Sequence, residues 1–196
     1  VTGTSMANLL AIVIARNTAL AGDFRKRGVG GANLRAYTSS AAHGCIAKAM
    51  EVTGLGTDAL RCISTDRRFR LDISELQTAI RADRATGLQP FLVIASAGTV
   101  DTGSIDDLNT IATLCREEGL WFHVDGAFGA LAKLSPSLAP LVCGIERADA
   151  IAFDFHKWGQ VTYDAGFRLV REAKTQLDTF SSPAVYLRRE QRGMAA

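Results

Sequence analysis

The chain has 196 residues, of which 47% are hydrophobic and 21% are charged, a composition typical of a folded domain and not of a disordered chain. Its 22 Lys and Arg residues nearly balance its 20 Asp and Glu residues, so no basic surface points to nucleic acid or an anionic membrane as a partner. No apolar run approaches the roughly 18 residues of a transmembrane helix, and the first residues do not resemble a signal peptide. These features predict a cytoplasmic protein whose partner is a small molecule.

The four cysteines are far apart in the sequence. They form no CxxC pair, and no histidine stands at a metal-ligand spacing from them. We therefore expect reduced thiols in the core and no metal site. The four are Cys45, Cys62, Cys115 and Cys143.

Apolar residues are dense from Met6 to Leu20 and predict a mostly buried helix, and a second helix is expected from Ala42 to about Thr53. Short apolar runs bounded by turn or charged residues predict buried strands between the helices. These runs are Leu34 to Thr38, Leu60 to Ser64, Pro90 to Ala95, Leu120 to Val124 and Ala150 to Phe153.

Two further helices are predicted from their capping residues. Asp72 or Ser74 begins one, and Asp106, Asp107 and Leu108 open the other, which runs to Glu118 before Gly119 ends it. Strands thus alternate with helices, which favours a three-layer α/β/α fold with a mainly parallel sheet. A ligand of such a sheet binds beyond the carboxyl ends of its strands.

A small, hydroxyl-rich turn precedes the first helix. It consists of Thr2, Gly3, Thr4 and Ser5, and free backbone N–H groups at a helix start can hold an anion with help from such hydroxyls. The alternative is that Thr4 or Ser5 only caps the helix.

Asp125 follows the apolar strand that ends at Val124 and precedes the small residues Gly126 and Ala127. At a strand end it would face the ligand crevice, where it could meet a cation, a metal or a protonated ring nitrogen. The alternative is a turn-forming aspartate.

Lys157 lies just after another predicted strand, between His156 and Trp158. Desolvation in such a place favours the neutral, nucleophilic amine that a Schiff base requires. The alternative is a solvated surface lysine. Together with the anion-binding turn and Asp125, Lys157 would supply partners for the phosphate, ring nitrogen and aldehyde of pyridoxal 5′-phosphate (PLP).

The run from Phe122 to Ala127, followed by the run from Asp149 to Trp158, resembles the group II PLP-dependent amino-acid decarboxylases, which include the aromatic-amino-acid, glutamate and diaminobutyrate enzymes. The family pattern is similar to H-V-D-A-A followed by an A-D-S-x-x-x-x-x-H-K-W run. The resemblance implies the large domain of PLP-dependent fold type I, and it covers nearly the whole chain. Residues 1–196 are then expected to be part of this domain, with an N-terminal segment and a C-terminal small domain outside the chain.

The resemblance also implies roles for individual residues. Lys157 matches the Schiff-base lysine, Asp125 the partner of the pyridine nitrogen, and Thr4 with Ser5 the phosphate turn. It implies a full-length homodimer that converts an L-amino acid to an amine and carbon dioxide.

Three more residues take roles from the same resemblance. His156 matches a second phosphate contact, His43 the imidazole stacked on the cofactor ring, and Ala127 the contact on the opposite face.

The chain departs from the family pattern at Val100, where a second threonine is common, at Gly126, where alanine is common, and at Phe155, where proline is common. Two other functions remain open at this point. One is another fold type I PLP enzyme, such as an aminotransferase or an aldehyde-forming relative, and the other is a non-catalytic, incomplete α/β fragment.

Overall fold

The central feature of the computed structural model, which describes residues 1–20 and 24–181, is a six-stranded sheet. Every strand predicted from the sequence is present within one or two residues of its expected ends, and a sixth follows them. The strands are β1 (Leu34–Ser39), β2 (Leu60–Ile63), β3 (Gln89–Ser96), β4 (Trp121–Asp125), β5 (Ala150–Asp154) and β6 (Gly166–Val170).

The strands lie in the order β2-β1-β3-β4-β5-β6. Neighbours pair in parallel from β2 to β5, and β6 pairs antiparallel to β5. The register places Ser96 opposite Asp125, and Asp125 opposite Ala152. The carboxyl ends of the neighbouring strands β3, β4 and β5 therefore lie side by side at the same end of the sheet.

Helices cover both faces of the sheet. Tyr37 and Val93 point into a core shared with α4 and α5, whereas their neighbours Ala36 and Leu92 point into a core shared with α1 and α3. This alternation confirms the predicted three-layer α/β/α fold. The helices are α1 (Thr4–Leu20), α2 (Phe24–Arg27), α3 (Cys45–Val52), α4 (Ile73–Ala85), α5 (Leu108–Glu118) and α6 (Ala173–Phe180), with short 3₁₀ turns between some elements.

The predicted caps act as expected. The Asp72 side chain accepts a hydrogen bond from the backbone N–H of Glu75, and Asp107 does the same for Thr110. Gly119 ends α5 in the left-handed conformation (φ 66°), which glycine adopts without steric cost.

Two expectations about secondary structure are wrong in detail. The helix predicted from Ala42 begins at Cys45, because Ser39 holds the preceding residues in a turn through its bonds to Ala41 and Ala42. The strand β2 is not buried, since it lies at the sheet edge with exposed Arg61 and Cys62.

The expectation that the four cysteines are core thiols is wrong for three of them. All four are free, but only Cys115 is buried in the core. Cys45 is half-buried, and Cys62 and Cys143 are exposed because they lie on the edge strand and in a loop.

Candidate active site

The hydroxyl-rich turn before α1 is held against the antiparallel strand β6. The backbone nitrogen of Val1 donates to the carbonyl oxygen of Gly166 (2.8 Å), and the carbonyl oxygen of Val1 accepts from the N–H of Gly166 (3.0 Å). The helix α1 begins at Thr4, whose buried hydroxyl oxygen has no hydrogen-bond partner. The first N–H groups of a helix also lack partners within it. The turn thus presents donors suited to an anion.

Asp125 is the last residue of β4 and is 8% exposed. Its Oδ2 accepts a hydrogen bond from the Asn8 amide (2.9 Å), and its Oδ1 accepts one from the backbone N–H of Ala127 (3.1 Å). Burial raises the pKa of this carboxyl, and these two bonds and the nearby Lys157 partly offset the rise. A cation at Asp125 would favour the ionised form.

Lys157 extends from the segment after β5 into the same region. Its Nζ lies 3.0 Å from Oδ2 of Asp154, the last residue of β5, and 4.5 Å from the centroid of the Phe128 ring. The side chain is 26% exposed, so it is shielded and still reachable. The Lys157 nitrogen thus lies where a carbonyl group of a molecule in the cavity could reach it.

His156 has a partner at both ring nitrogens. Its Nδ1 accepts a hydrogen bond from the backbone N–H of Ala165 (3.1 Å), and its Nε2 lies 3.4 Å from Oδ2 of Asp154. The ring stacks on Tyr163 with the centroids 4.0 Å apart. Because Nδ1 accepts a hydrogen bond, Nε2 carries the ring proton of a neutral His156 and directs it to Asp154. The contact of His156 with a phosphate stays a prediction.

His43 is exposed at the start of α3, and its Nδ1 accepts a hydrogen bond from the backbone N–H of Cys45 (3.1 Å). Thr99 is buried, and its hydroxyl bonds to Thr102 and to the N–H of Ser104. The neighbouring Val100 is 55% exposed. The Thr99 hydroxyl is thus engaged within its own loop.

All of the site residues predicted from the sequence line one cavity of about 380 Å³. It lies at the carboxyl ends of β3, β4 and β5, where a parallel sheet places its ligands. Its polar and charged groups could hold a molecule that has an anionic group, a protonated ring nitrogen and a carbonyl carbon. The predicted residues that line it are Thr4, Ser5, His43, Asp125, Ala127, His156 and Lys157.

The cavity is also lined by residues that were not predicted from the sequence as site residues. Asp154 is buried, and its Oδ1 has no partner. Phe128 and Tyr163 line the cavity as well. The position of Asp154, directly before the His156–Lys157 pair at a strand end, was the available signal for its role.

Residues 1–20 and 24–181 contain neither a candidate metal site nor a candidate transmembrane helix. This part of the chain contains no group of three or more His, Cys, Asp or Glu side chains that could hold a metal ion. It also contains no helix that is long and apolar enough to cross a membrane.

Comparison with known proteins places these residues in context. Residues 1–196 match the family model described as the pyridoxal-dependent decarboxylase conserved domain. An aromatic-L-amino-acid decarboxylase from Bacillus atrophaeus is 38% identical over 188 residues, which are 96% of this chain and 38% of that protein. A cysteine sulfinic acid decarboxylase from Mus musculus is 36% identical over 187 residues, or 94% of this chain and 38% of that protein.

Solved structures agree with this result. The crystal structure of mouse CSAD superposes with a TM-score of 0.91 at 34% identity, covering 97% of this chain and 40% of that chain. The structure of Oryza sativa TDC with PLP and tryptamine gives a TM-score of 0.89 at 29% identity, covering 97% and 39%. The chain thus spans about two fifths of the length of the relatives it matches.

Proposed function

Because the chain belongs to the pyridoxal-dependent decarboxylase family, we propose that the full-length protein uses PLP to convert an L-amino acid to the corresponding amine and carbon dioxide. The observation that carries this proposal is the meeting of Lys157, Asp125 and the Thr4 turn in one cavity. These residues are far apart in the sequence, and each suits a different part of the same cofactor.

The residues at the site fit the cofactor. The Thr4 hydroxyl is buried without a partner, as expected of a donor whose acceptor is a phosphate oxygen, and Ser5 lies beside it. Asp125 offers a buried carboxylate to the ring nitrogen, and Lys157 offers an amine to the aldehyde. When bound, PLP supplies an electron sink for the pair of electrons left by the departing carboxylate.

Other side chains complete the proposed site. Asp125 would hold a proton on the ring nitrogen, which strengthens the electron sink. His43 would cover one face of the ring and Ala127 the other, and His156 would contact the phosphate. The cavity walls would exclude water around the Lys157 amine.

The substrate class is an L-amino acid. The named relatives act on amino acids with very different side chains, aromatic in one group and a sulfinic acid in another. A substrate panel therefore needs aromatic, acidic and basic members.

The test uses the full-length protein with added PLP. A visible absorbance band that borohydride abolishes is expected in the native protein and in Lys48→Ala, which removes an exposed lysine, but not in Lys157→Ala. Amine and carbon dioxide from at least one L-amino acid would support the proposal. A folded native protein without the band would favour a non-catalytic domain, and a Lys157→Ala variant with the native rate would contradict the role of Lys157.

An aldehyde-forming reaction is the second candidate. The structure of Rhodiola rosea 4-hydroxyphenylacetaldehyde synthase superposes with a TM-score of 0.83 at 30% identity, covering 91% of this chain. Product analysis separates the candidates, because an aldehyde would replace the amine. A keto acid would instead indicate an aminotransferase.

The proposal also covers the location and the oligomeric state of the full-length protein. Residues 1–196 would form part of the large PLP-binding domain of a cytoplasmic homodimer. Large side chains exposed beside the cavity support an interface there, namely Val100, Trp158 and Tyr163. Sedimentation of the full-length protein should give the mass of a dimer, and a monomer would contradict the proposal.

A further inference from the structure

Asn8 is a fully buried polar residue on α1 that lies behind Asp125. One end of its side-chain amide lies 2.9 Å from Oδ2 of Asp125, and the other lies 2.8 Å from Nε2 of His123. His123 is also fully buried, and its Nδ1 lies 3.0 Å from the carbonyl oxygen of Ala150. These groups form a continuous chain from the backbone of β5 to the Asp125 carboxyl.

Hydrogen bonding restricts the protons in this chain. The Ala150 oxygen can only accept, so Nδ1 of His123 must carry a proton. A neutral imidazole then has an unprotonated Nε2, which requires the NH₂ end of the Asn8 amide. The oxygen end of the amide would face Asp125, which would have to be a protonated carboxyl.

The opposite arrangement has the amide orientation of this structure, in which the amide oxygen faces His123 and the NH₂ group faces Asp125. His123 is then protonated at both ring nitrogens, and the Asn8 NH₂ donates to an ionised Asp125. Turning the amide exchanges its donor and acceptor ends. The charge of Asp125 and the charge of His123 are therefore linked through one side chain.

We propose that Asn8 and His123 are positioning residues that couple the ionisation of Asp125 to that of His123. This inference rests on the proposed function, because the cation that would select the ionised form is the protonated ring nitrogen of PLP. Burial of both groups favours the neutral arrangement, and a cation beside Asp125 favours the ionised one, whose amide orientation is the one in this structure.

The surroundings support this direction. Burial raises the pKa of Asp125 and lowers the pKa of His123 to about 4, so both shifts favour the neutral arrangement without a ligand. Lys157 and His43 face Asp125 and oppose the rise of its pKa, but burial is the larger effect, and Cys45 also lies close to Asp125. On the other side, Arg168 opposes protonation of His123.

Nitrogen NMR of the full-length protein tests the coupling. The His123 ring should carry a proton on Nδ1 alone without PLP and on both nitrogens with PLP bound. The variant Asn8→Leu should abolish this change and weaken PLP binding about tenfold, since a bond to an ionised group is lost. The matched control is Asn17→Leu, which alters a buried asparagine elsewhere on α1 and should behave as the native protein.

A second variant covers the case in which Asn8→Leu fails to fold. Asn8→Asp keeps the shape, but its new carboxyl can donate to Asp125 only while protonated, so PLP affinity should fall as the pH rises. A His123 ring with the same protonation before and after PLP binding, or an Asn8→Asp affinity with the native pH dependence, would overturn the coupling alone. Failure of the native protein to bind PLP would overturn the proposed function and the coupling together.

Discussion

The Nζ of Lys157 lies 3.0 Å from Oδ2 of Asp154, and the same carboxylate oxygen lies 3.4 Å from Nε2 of His156. Asp154 is buried at the end of β5, so it directs two residues of the proposed site from a rigid position. The ion pair with Asp154 explains why Lys157, which lies in an irregular segment, points into the cavity.

Replacement of Asp154 by leucine should weaken PLP binding about tenfold, because Lys157 loses the anion that orients it and His156 loses an acceptor. The measurement is a PLP titration of the full-length protein by absorbance. Asp178→Leu is the control, since Asp178 pairs with the exposed Lys174 outside the cavity. Equal affinities for the two variants would contradict an orienting role of Asp154.

Gly166→Ala should disturb the hydroxyl-rich turn before α1, which we propose binds the phosphate of PLP. A Cβ at Gly166 would lie 2.6 Å from the backbone nitrogen of Gly3, and both partners are backbone, so one segment must move. We expect a loss of about 1–3 kcal/mol in the free energy of unfolding, together with weaker PLP binding.

The control for this substitution is Gly44→Ala. A Cβ at Gly44 meets nothing within 4 Å, and its φ of −58° suits any residue. Chemical denaturation and PLP titration of both variants check the prediction. A Gly166→Ala variant as stable as Gly44→Ala would show that the turn tolerates the added methyl group.

Sequence reasoning found the residues whose chemistry is legible from type and position. Lys157 and Asp125 were visible because each charged residue follows an apolar run, at a place where a strand end was expected. Asn8 was missed because an asparagine within an apolar helix looks the same whether it faces solvent or core. Only the packing of α1 across β4 and β5 shows that Asn8 reaches Asp125 and His123.

Other features were missed for a different physical reason. The strand β6 alternates between buried or half-buried and exposed residues, a weak signal next to the continuous apolar runs of the parallel strands. Its pairing with β5 and its bonds to Val1 are contacts between distant parts of the chain. Short-range patterns do not contain such contacts.

Tyr37→Phe should cost about 1–2 kcal/mol of unfolding free energy. The buried Tyr37 hydroxyl donates to Oδ2 of Asp83 (2.8 Å), while Arg61 donates to the other carboxylate oxygen (2.8 Å). Loss of the hydroxyl leaves a buried carboxylate with fewer partners. Urea denaturation of Tyr37→Phe beside Tyr163→Phe, which alters an exposed ring, measures the difference. No difference would mean that Arg61 and Arg35, whose Nε lies 3.8 Å from Oδ2, satisfy Asp83 without the hydroxyl.

The stability of the cofactor-free protein should contain a pH-dependent contribution from His123. Burial lowers the pKa of His123 to about 4, against 6.5 ordinarily, so between these values the unfolded chain binds a proton that the folded chain excludes. The contribution is complete above about pH 6.5 and is lost as the pH falls to about 4, by roughly 3 kcal/mol.

The variant His123→Phe isolates this contribution. Burial raises the pKa of Asp125, and this acts in the opposite direction, so the native curve alone does not separate the two groups. The native protein should lose stability relative to His123→Phe on going from pH 7 to pH 4. A difference between the two proteins that does not change with pH would contradict the prediction.

Whether Lys157 carries the cofactor is tested most directly by borohydride reduction of the full-length protein with PLP, followed by peptide mass mapping. We expect the phosphopyridoxyl group on Lys157 alone among the lysines, and no label at that peptide in Lys157→Ala. A reduced protein with no label, or with its label on another lysine, would contradict the assignment of the cavity at the ends of β4 and β5 as a PLP site.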